Sequence, residues 1–281
     1  MSLVVLRVLG MRKMTKIVIV TGTNTDVGKT VTTASAIAAT RVRASHLRVG
    51  LIKPTQTGEA AVEKRALGYI ERGDRGDVAV VRALLGETTA TPVPLLVWEG
   101  IRYPEPLAPD MAAHRAGMEL WDAAHFANVI EGAARDVDVL FVEGAGGLLV
   151  GLGEEPDGTP TTLVEIAQEI TRRSTAYEVF LLLVSQPHLG MLNQCVLTWR
   201  ELQRAGLFLD GIVFGMWPEH PDLPMQLNAD EVFRLTGVPV IGRIPRGAGK
   251  LLPKQPGSIA VAGDQWWGQL PWCDSGEVPK Q

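Results

Sequence analysis

Val18–Thr30 reads VIVTGTNTDVGKT. A β-branched apolar run closes at Thr21, a loop of small and polar residues follows, and Gly28-Lys29-Thr30 opens an amphipathic helix. A strand, a glycine-bearing loop and a helix entered at Lys-Thr form the arrangement that wraps a polyphosphate. Successive backbone N–H groups and the positive end of the helix dipole converge on one point there. Lys29 is placed to reach the β- and γ-phosphates, and the Thr30 hydroxyl to ligate Mg²⁺. One departure stands out: Gly22 and Gly28 are separated by five residues rather than the usual four, and Thr23 takes the place of the first glycine.

Around this stretch, short strand-like and helix-like runs alternate from residue 16 to about residue 245. Strands are expected at Lys16–Thr21, Arg48–Lys53, Val137–Val142, Val179–Ser185, Gly211–Gly215 and Val238–Gly242. Their apolar residues run on rather than alternate, as in strands buried on both faces. Helices are expected at Lys29–Ala44, Val78–Leu85, Trp121–Arg135, Thr161–Arg172, Leu192–Ala205 and Ala229–Leu235. The pattern predicts an α/β protein, a parallel-sheet P-loop NTPase-type fold with helices on both faces and ligands along the strand C-termini. Residues 14–281 read as a single domain, with residues 1–13 as an N-terminal extension and Met14 as an alternative start. The Pro-, Gly- and Trp-rich stretch Leu251–Gln281 reads as a terminal element packed onto the body through Trp266, Trp267 and Trp272.

The 281 residues are 46% hydrophobic and 21% charged, with a formal charge of −4 and no basic tract. That balance fits a globular protein and argues against nucleic-acid or acidic-membrane binding. Ser2–Gly10 is apolar, but Arg12 and Lys13 follow it, which is the wrong order for a secretory signal. No other segment is long and apolar enough to span a bilayer. Cys195 and Cys273 are too few for a disulfide framework or a zinc site, so a cytoplasmic protein is expected.

The strand ends carry the chemistry. Lys53–Gly58, KPTQTG, places a lysine on the binding edge, with a hydroxyl and an open N–H at Thr57 and Gly58. Glu143–Gly147, EGAGG, closes an apolar strand on an acid suited to Mg²⁺, and its glycines allow close backbone approach. A second carboxylate comes from Asp77 or Asp74, either of which is also a natural helix cap. In SQPHLGMLN, Ser185–Asn193, the helix opening at Gly190–Asn193 offers a second anion site, suited to a substrate carboxylate.

Taken together, GTNTDVGKT, KPTQTG, RYPEPLAP (102–109), VEGAGGLLV (142–150), LGMLN (189–193) and IP (244–245) resemble the dethiobiotin synthetases. The likeness spans about residues 15–250, and that family's loop has the same five-residue spacing. The resemblance implies ATP-dependent carboxylation of 7,8-diaminononanoate with CO₂ and ring closure to dethiobiotin. It implies Lys29, Lys53 and Thr25 as catalytic residues. Asp26, Val27, Gly28, Lys29 and Thr30 would bind nucleotide, together with Gly215, Pro245 and Gly247 near the base. Thr25, Thr57, Gly144, Gly190, Met191, Leu192 and Asn193 would bind substrate. Thr30, Glu143 and, by motif order, Asp77 would hold Mg²⁺. A homodimer is implied, with the substrate tail crossing the interface. Many family members carry an asparagine where Gly215 stands, so a relaxed base preference, with CTP beside ATP, is expected.

Two other classes compete. Partitioning-type switch ATPases share the fold but carry a second lysine near the start of the loop, where this chain has Thr23-Asn24-Thr25. A non-catalytic relative should have lost chemistry residues, yet Lys29, Thr30, Lys53 and Glu143 are all present.

Overall fold

Strands with apolar residues on both faces need cover on both, and the chain supplies it in two layers. The computed structural model describes residues 14–59, 75–87, 93–173 and 175–273. The residues of the expected extension, 1–13, and Asp74 lie outside these.

The strands are β1 (Thr15–Gly22), β2 (Val49–Thr57), β3 (Leu96–Tyr103), β4 (Val139–Gly147), β5 (Gly153–Glu154), β6 (Pro160–Thr161), β7 (Tyr177–Ser185), β8 (Gly211–Trp217) and β9 (Val240–Pro245). Seven of them make one sheet in the order β3-β2-β4-β1-β7-β8-β9, and β5-β6 is a small hairpin. Every pairing in the large sheet is parallel. The helices are α1 (Lys29–Arg43), α2 (Asp77–Leu84), α3 (Pro109–Ala116), α4 (Ala123–Ala134), α5 (Leu163–Arg173), α6 (Met191–Arg204), α7 (Leu223–Thr236) and the single turn α8 (Ile259–Ala262).

The period of two along β1 divides the interior. Ile17 and Ile19 join Phe126, Ile130 and Ile166 in a core covered by α4 to α7. Val18 and Val20 join Ile37, Val81 and Trp272 in a second core under α1, α2 and the C-terminal segment. Helices therefore cover both faces, as the sequence predicts. The chain leaves β1 toward β2 on one side and returns to β7 on the other, so the loop after β1 stands at the topological switch point.

Several elements differ from the sequence reading, which places nothing between Leu85 and Trp121. The structure puts edge strand β3 and helix α3 there. Strands β2 and β4 run on through Thr57 and Gly147, so Lys53 and Glu143 lie inside strands rather than beyond them. Helix α7 starts at Leu223 instead of Ala229. Asp222 caps it by accepting the Met225 N–H at 2.9 Å, and a proline sits in its first turn.

Residues 251–273 of the expected terminal element pack onto the body, and residues 274–281 lie outside the described residues. Trp267 and Trp272 are buried, and their indole N–H groups donate to Ser35 Oγ and Thr40 Oγ1 of α1, each at 2.8 Å. Lys16 Nζ donates to the Trp272 carbonyl at 2.8 Å, which ties the start of β1 to the same segment.

Candidate functional site

Register brings the chemistry-bearing strands together. Ile52 of β2 lies beside Val142 of β4, so Lys53 and Glu143 are neighbours, and Val20 of β1 lies beside Glu143 on the other side. All three strands end on the edge where α1 begins.

The P-loop leaves β1 with the Thr23 N–H donating to the Val184 carbonyl at 2.9 Å. The extra residue is accommodated in part at Asp26, whose φ of 56° is left-handed and whose carbonyl accepts from Gln186 Nε2 at 3.1 Å. Thr25 and Asp26 form the exposed crest of the loop, while Val27 is buried. Gly28 has φ 94° and enters α1 without a side-chain cap, leaving the first-turn N–H groups free for a ligand. Lys29 Nζ folds back over the loop and donates to the Asn24 carbonyl at 2.9 Å.

Lys53 is the centre of the site. It is 3% exposed, so it is not a solvated surface lysine. Its Nζ lies 2.6 Å from Asp77 Oδ2, 2.9 Å from the Gly144 carbonyl and 3.3 Å from Glu143 Oε1. Thr30 Oγ1 donates to Glu143 Oε1 at 2.8 Å, and the Asp77 carboxylate shares the Lys53 ammonium with Glu143. The first residue of α2 thus reaches the same point as β1, β2 and β4.

Burial and charge tune each group. Burial works to lower the Lys53 pKa, but the charges of Glu143 and Asp77 outweigh it and hold the ammonium above its ordinary range. Lys29 is shifted down by burial and by the charge of Lys53. Burial pushes Glu143 up despite Lys53. For Asp77, burial is overcome by the charge and hydrogen bond of Lys53, and its carboxyl is held low.

The donor set fits Mg²⁺. Glu143 Oε2 is buried and has no hydrogen-bond partner among the described residues, a costly arrangement unless a cation completes it. The neighbouring donors are the Asp77 carboxylate and the Thr30 hydroxyl, all hard oxygens. Among the described residues there is no group of three His, Cys, Asp or Glu side chains suited to a metal. A few protein oxygens completed by phosphates and water is the usual pattern for this ion.

Across the loop, β8 ends against the P-loop. A Cβ built on Gly215 would stand 2.0 Å from the Val27 carbonyl oxygen, so only glycine fits the present path of both segments. The β9 end brings Pro245 beside Trp217, and the Arg246 N–H donates to the Trp217 carbonyl at 2.7 Å. Gly247 is exposed, and Gly249 packs on Val31 in the first turn of α1. Gly215 therefore borders the helix start that the phosphates would occupy, and Pro245 and Gly247 belong to the segment whose Gly249 packs on α1.

The remaining expected residues are more dispersed. Thr57 is half-buried at the end of β2. Gly144 is buried, and its lack of a side chain is explained by Leu163, whose Cδ1 would lie 2.5 Å from a Cβ. Gly190 caps α6 and is exposed with Asn193, while Met191 is buried and Leu192 half-buried. Sequence reasoning assigned no role to Gln186, Gln56, Glu99 or Arg102. Gln56, Gln186 and Arg102 lie within quoted motifs, and for Gln56 and Arg102 a polar residue inside a strand was the available signal.

A P-loop at the sheet's switch point, two lysines, a buried glutamate and a half-buried aspartate define a P-loop NTPase-type nucleotide-binding protein. A family model described as an AAA domain matches residues 16–249. The curated relative from Rhodococcus jostii (strain RHA1), an ATP-dependent dethiobiotin synthetase BioD, is 39% identical over 92% of this chain and 97% of its own. That from Saccharopolyspora erythraea, of the same name, is 40% identical over 88% and 94%. The chain belongs to the ATP-dependent dethiobiotin synthetases, as its motifs suggest. Among solved structures, a Pyrococcus furiosus cell division ATPase MinD aligns with TM-score 0.47 and 19% identity over 89% of this chain and 96% of that one. A ParA family ATPase from Chlorobium tepidum TLS aligns with TM-score 0.46 and 11% identity over 83% and 85%.

Proposed function

We propose that this chain converts 7,8-diaminononanoate, CO₂ and a nucleoside triphosphate into dethiobiotin, nucleoside diphosphate and phosphate. The observation that carries this reading is the buried Lys53 ammonium between Glu143, Asp77 and the Gly144 carbonyl, beside the P-loop. A P-loop alone argues only for polyphosphate binding. A second, desolvated cation at its metal-binding carboxylates suits an anionic acceptor next to the γ-phosphate.

One substrate amine captures CO₂ as a carbamate. A carbamate oxygen takes the γ-phosphoryl group, giving a mixed carbamic–phosphoric anhydride and nucleoside diphosphate. The second amine attacks the carbonyl carbon, closes the five-membered ureido ring and expels phosphate. No covalent enzyme nucleophile is required; the steps need alignment and charge neutralisation. Lys53 stabilises the carbamate, Lys29 the transferring phosphoryl oxygens, and Thr25 at the loop crest orients the reacting amine beside Thr57. Thr30, Asp77 and Glu143 would hold Mg²⁺, which supplies charge compensation on the β- and γ-phosphates.

The substrate carboxylate is assigned to the α6 start at Gly190–Asn193 of a partner protomer, where the Met191 N–H is taken by the His188 carbonyl at 3.2 Å and the Leu192 and Asn193 N–H groups open the helix. Leu189, 85% exposed just before that helix start, and Leu197, 58% exposed about two turns along α6, support a role for this helix in a homodimer interface. The chain would work in the cytoplasm, where Cys195 and Cys273 stay reduced. At the base, Gly215 offers no side-chain donor or acceptor, so the backbone of Pro245–Gly247 contacts it instead. ATP and CTP are then both accepted; ATP binding about tenfold tighter or more than CTP would overturn this point. The function itself is tested by phosphate release in the presence of Mg²⁺ and nucleotide. Release should require both the diamine and bicarbonate, whereas equal release without the diamine would overturn the reading.

A further inference from the structure

Helix α2 begins without local support. Its N-cap, Gly76, has φ 90° and no side-chain cap, although Asp77 at its first position must deliver a carboxylate to Lys53. The support comes from the edge of the sheet. Gln56 of β2 is buried, and its Oε1 accepts the Asp77 N–H at 3.0 Å. A Cβ on Gly76 would lie 2.7 Å from the same oxygen, so glycine is what lets the amide close on the helix start. One residue earlier, Arg102 Nη2 of β3 donates to the Arg75 carbonyl at 2.7 Å. The Arg102 guanidinium is itself held by Glu99 Oε1 and Oε2, at 2.9 and 2.7 Å from Nη2 and 3.1 Å from Nε to Oε2. Glu99 is 1% exposed and Arg102 6%.

A buried ion pair of this kind contributes little net stability, because desolvation offsets the attraction. What it does contribute is a fixed position. We propose that Gln56, Arg102 and Glu99 are positioning residues for the metal-binding carboxylate, holding Arg75–Asp77 so that Asp77 enters the site already aimed at Lys53 and Glu143. The inference rests on the reading of Asp77 as a Mg²⁺ ligand, and outer partners of ligating carboxylates typically set affinity in this way.

The test uses Mn²⁺ as the probe, bound to the full chain with a non-hydrolysable ATP analogue and followed by electron paramagnetic resonance. Gln56→Met keeps the volume and removes the acceptor. Glu99→Met with Arg102→Met replaces the ion pair as a unit, so that no buried charge is stranded. Each should weaken Mn²⁺ binding about tenfold, while metal-free binding of the analogue stays at the parent value. Asp77→Asn should weaken Mn²⁺ at least as much. Parent-like Mn²⁺ affinity in both variants, with Asp77→Asn impaired, would overturn the positioning role alone. Equal loss of metal and of metal-free analogue binding would mark a merely structural role and also overturn it. Parent-like Mn²⁺ affinity in Asp77→Asn would remove Asp77 as a ligand, and the inference with it, whereas diamine-dependent phosphate release would still decide the proposed reaction separately.

Discussion

Gly215 and Gly28 meet back to back: a Cβ on Gly28 would lie 2.8 Å from the Gly215 carbonyl oxygen, and one on Gly215 only 2.0 Å from that of Val27. Gly215→Ala must therefore push the P-loop away from β8, and nucleotide affinity should fall about tenfold or more, measured by calorimetry. Cys195 is a residue of the opposite kind, buried in the apolar core on α6. Burial pushes its thiol from 9.0 up to about 11. A raised folded-state value means the folded chain binds more protons, so this stabilising contribution is whole below pH 9 and lost as pH rises through about 11. A displacement of that size is worth roughly 3 kcal/mol at most. Cys195→Ala should flatten the fall in denaturation midpoint across that alkaline window, and native Cys195 should resist alkylation near pH 8 until the chain unfolds.

Among the elements, those with unbroken apolar runs were legible, because burial on both faces leaves a composition that needs no partner to interpret. Strand β3 was not, since Glu99 and Arg102 interrupt it; each is tolerable in a buried strand only because the other neutralises it, a fact of three dimensions. Helix α3 did carry local signals, Pro109 at its first position and Gly117 in a left-handed conformation after its end. Its short length kept the apolar period from registering. Lys53 and Glu143 were legible as site residues, whereas the braces Gln56 and Arg102 were not, because their partners are backbone groups of another element. The C-terminal segment gives a direct test of element packing. Trp272 is fully buried against Phe141 and Trp267. Trp272→Ala should cost about 3–5 kcal/mol in chemical denaturation. Trp272→Phe, which removes the hydrogen bond to Thr40 but keeps an aromatic ring, should cost far less, closer to about 1 kcal/mol for the bond.

For the whole molecule, the sheet does one thing: it carries residues far apart in sequence to a single edge. Lys29 and Thr30 follow β1, Lys53 lies in β2, Glu143 in β4, and Asp77 opens the helix after β2. The order β2-β4-β1 makes them neighbours, and no single motif reveals that order. Among the described residues no helix is long and apolar enough to cross a membrane. The central claim is that this cluster joins CO₂ to a diamine at the expense of a nucleotide, with Lys53 as the second cation. The most direct measurement supplies isotopically labelled bicarbonate, 7,8-diaminononanoate, Mg²⁺ and nucleotide to the parent chain and to Lys53→Met, and follows the product by mass spectrometry. The account predicts dethiobiotin with the label in its ureido carbonyl from the parent, and at least about a hundredfold less from the variant. Nucleotide consumed by the parent without labelled ring product, or equal labelled product from both chains, would contradict it.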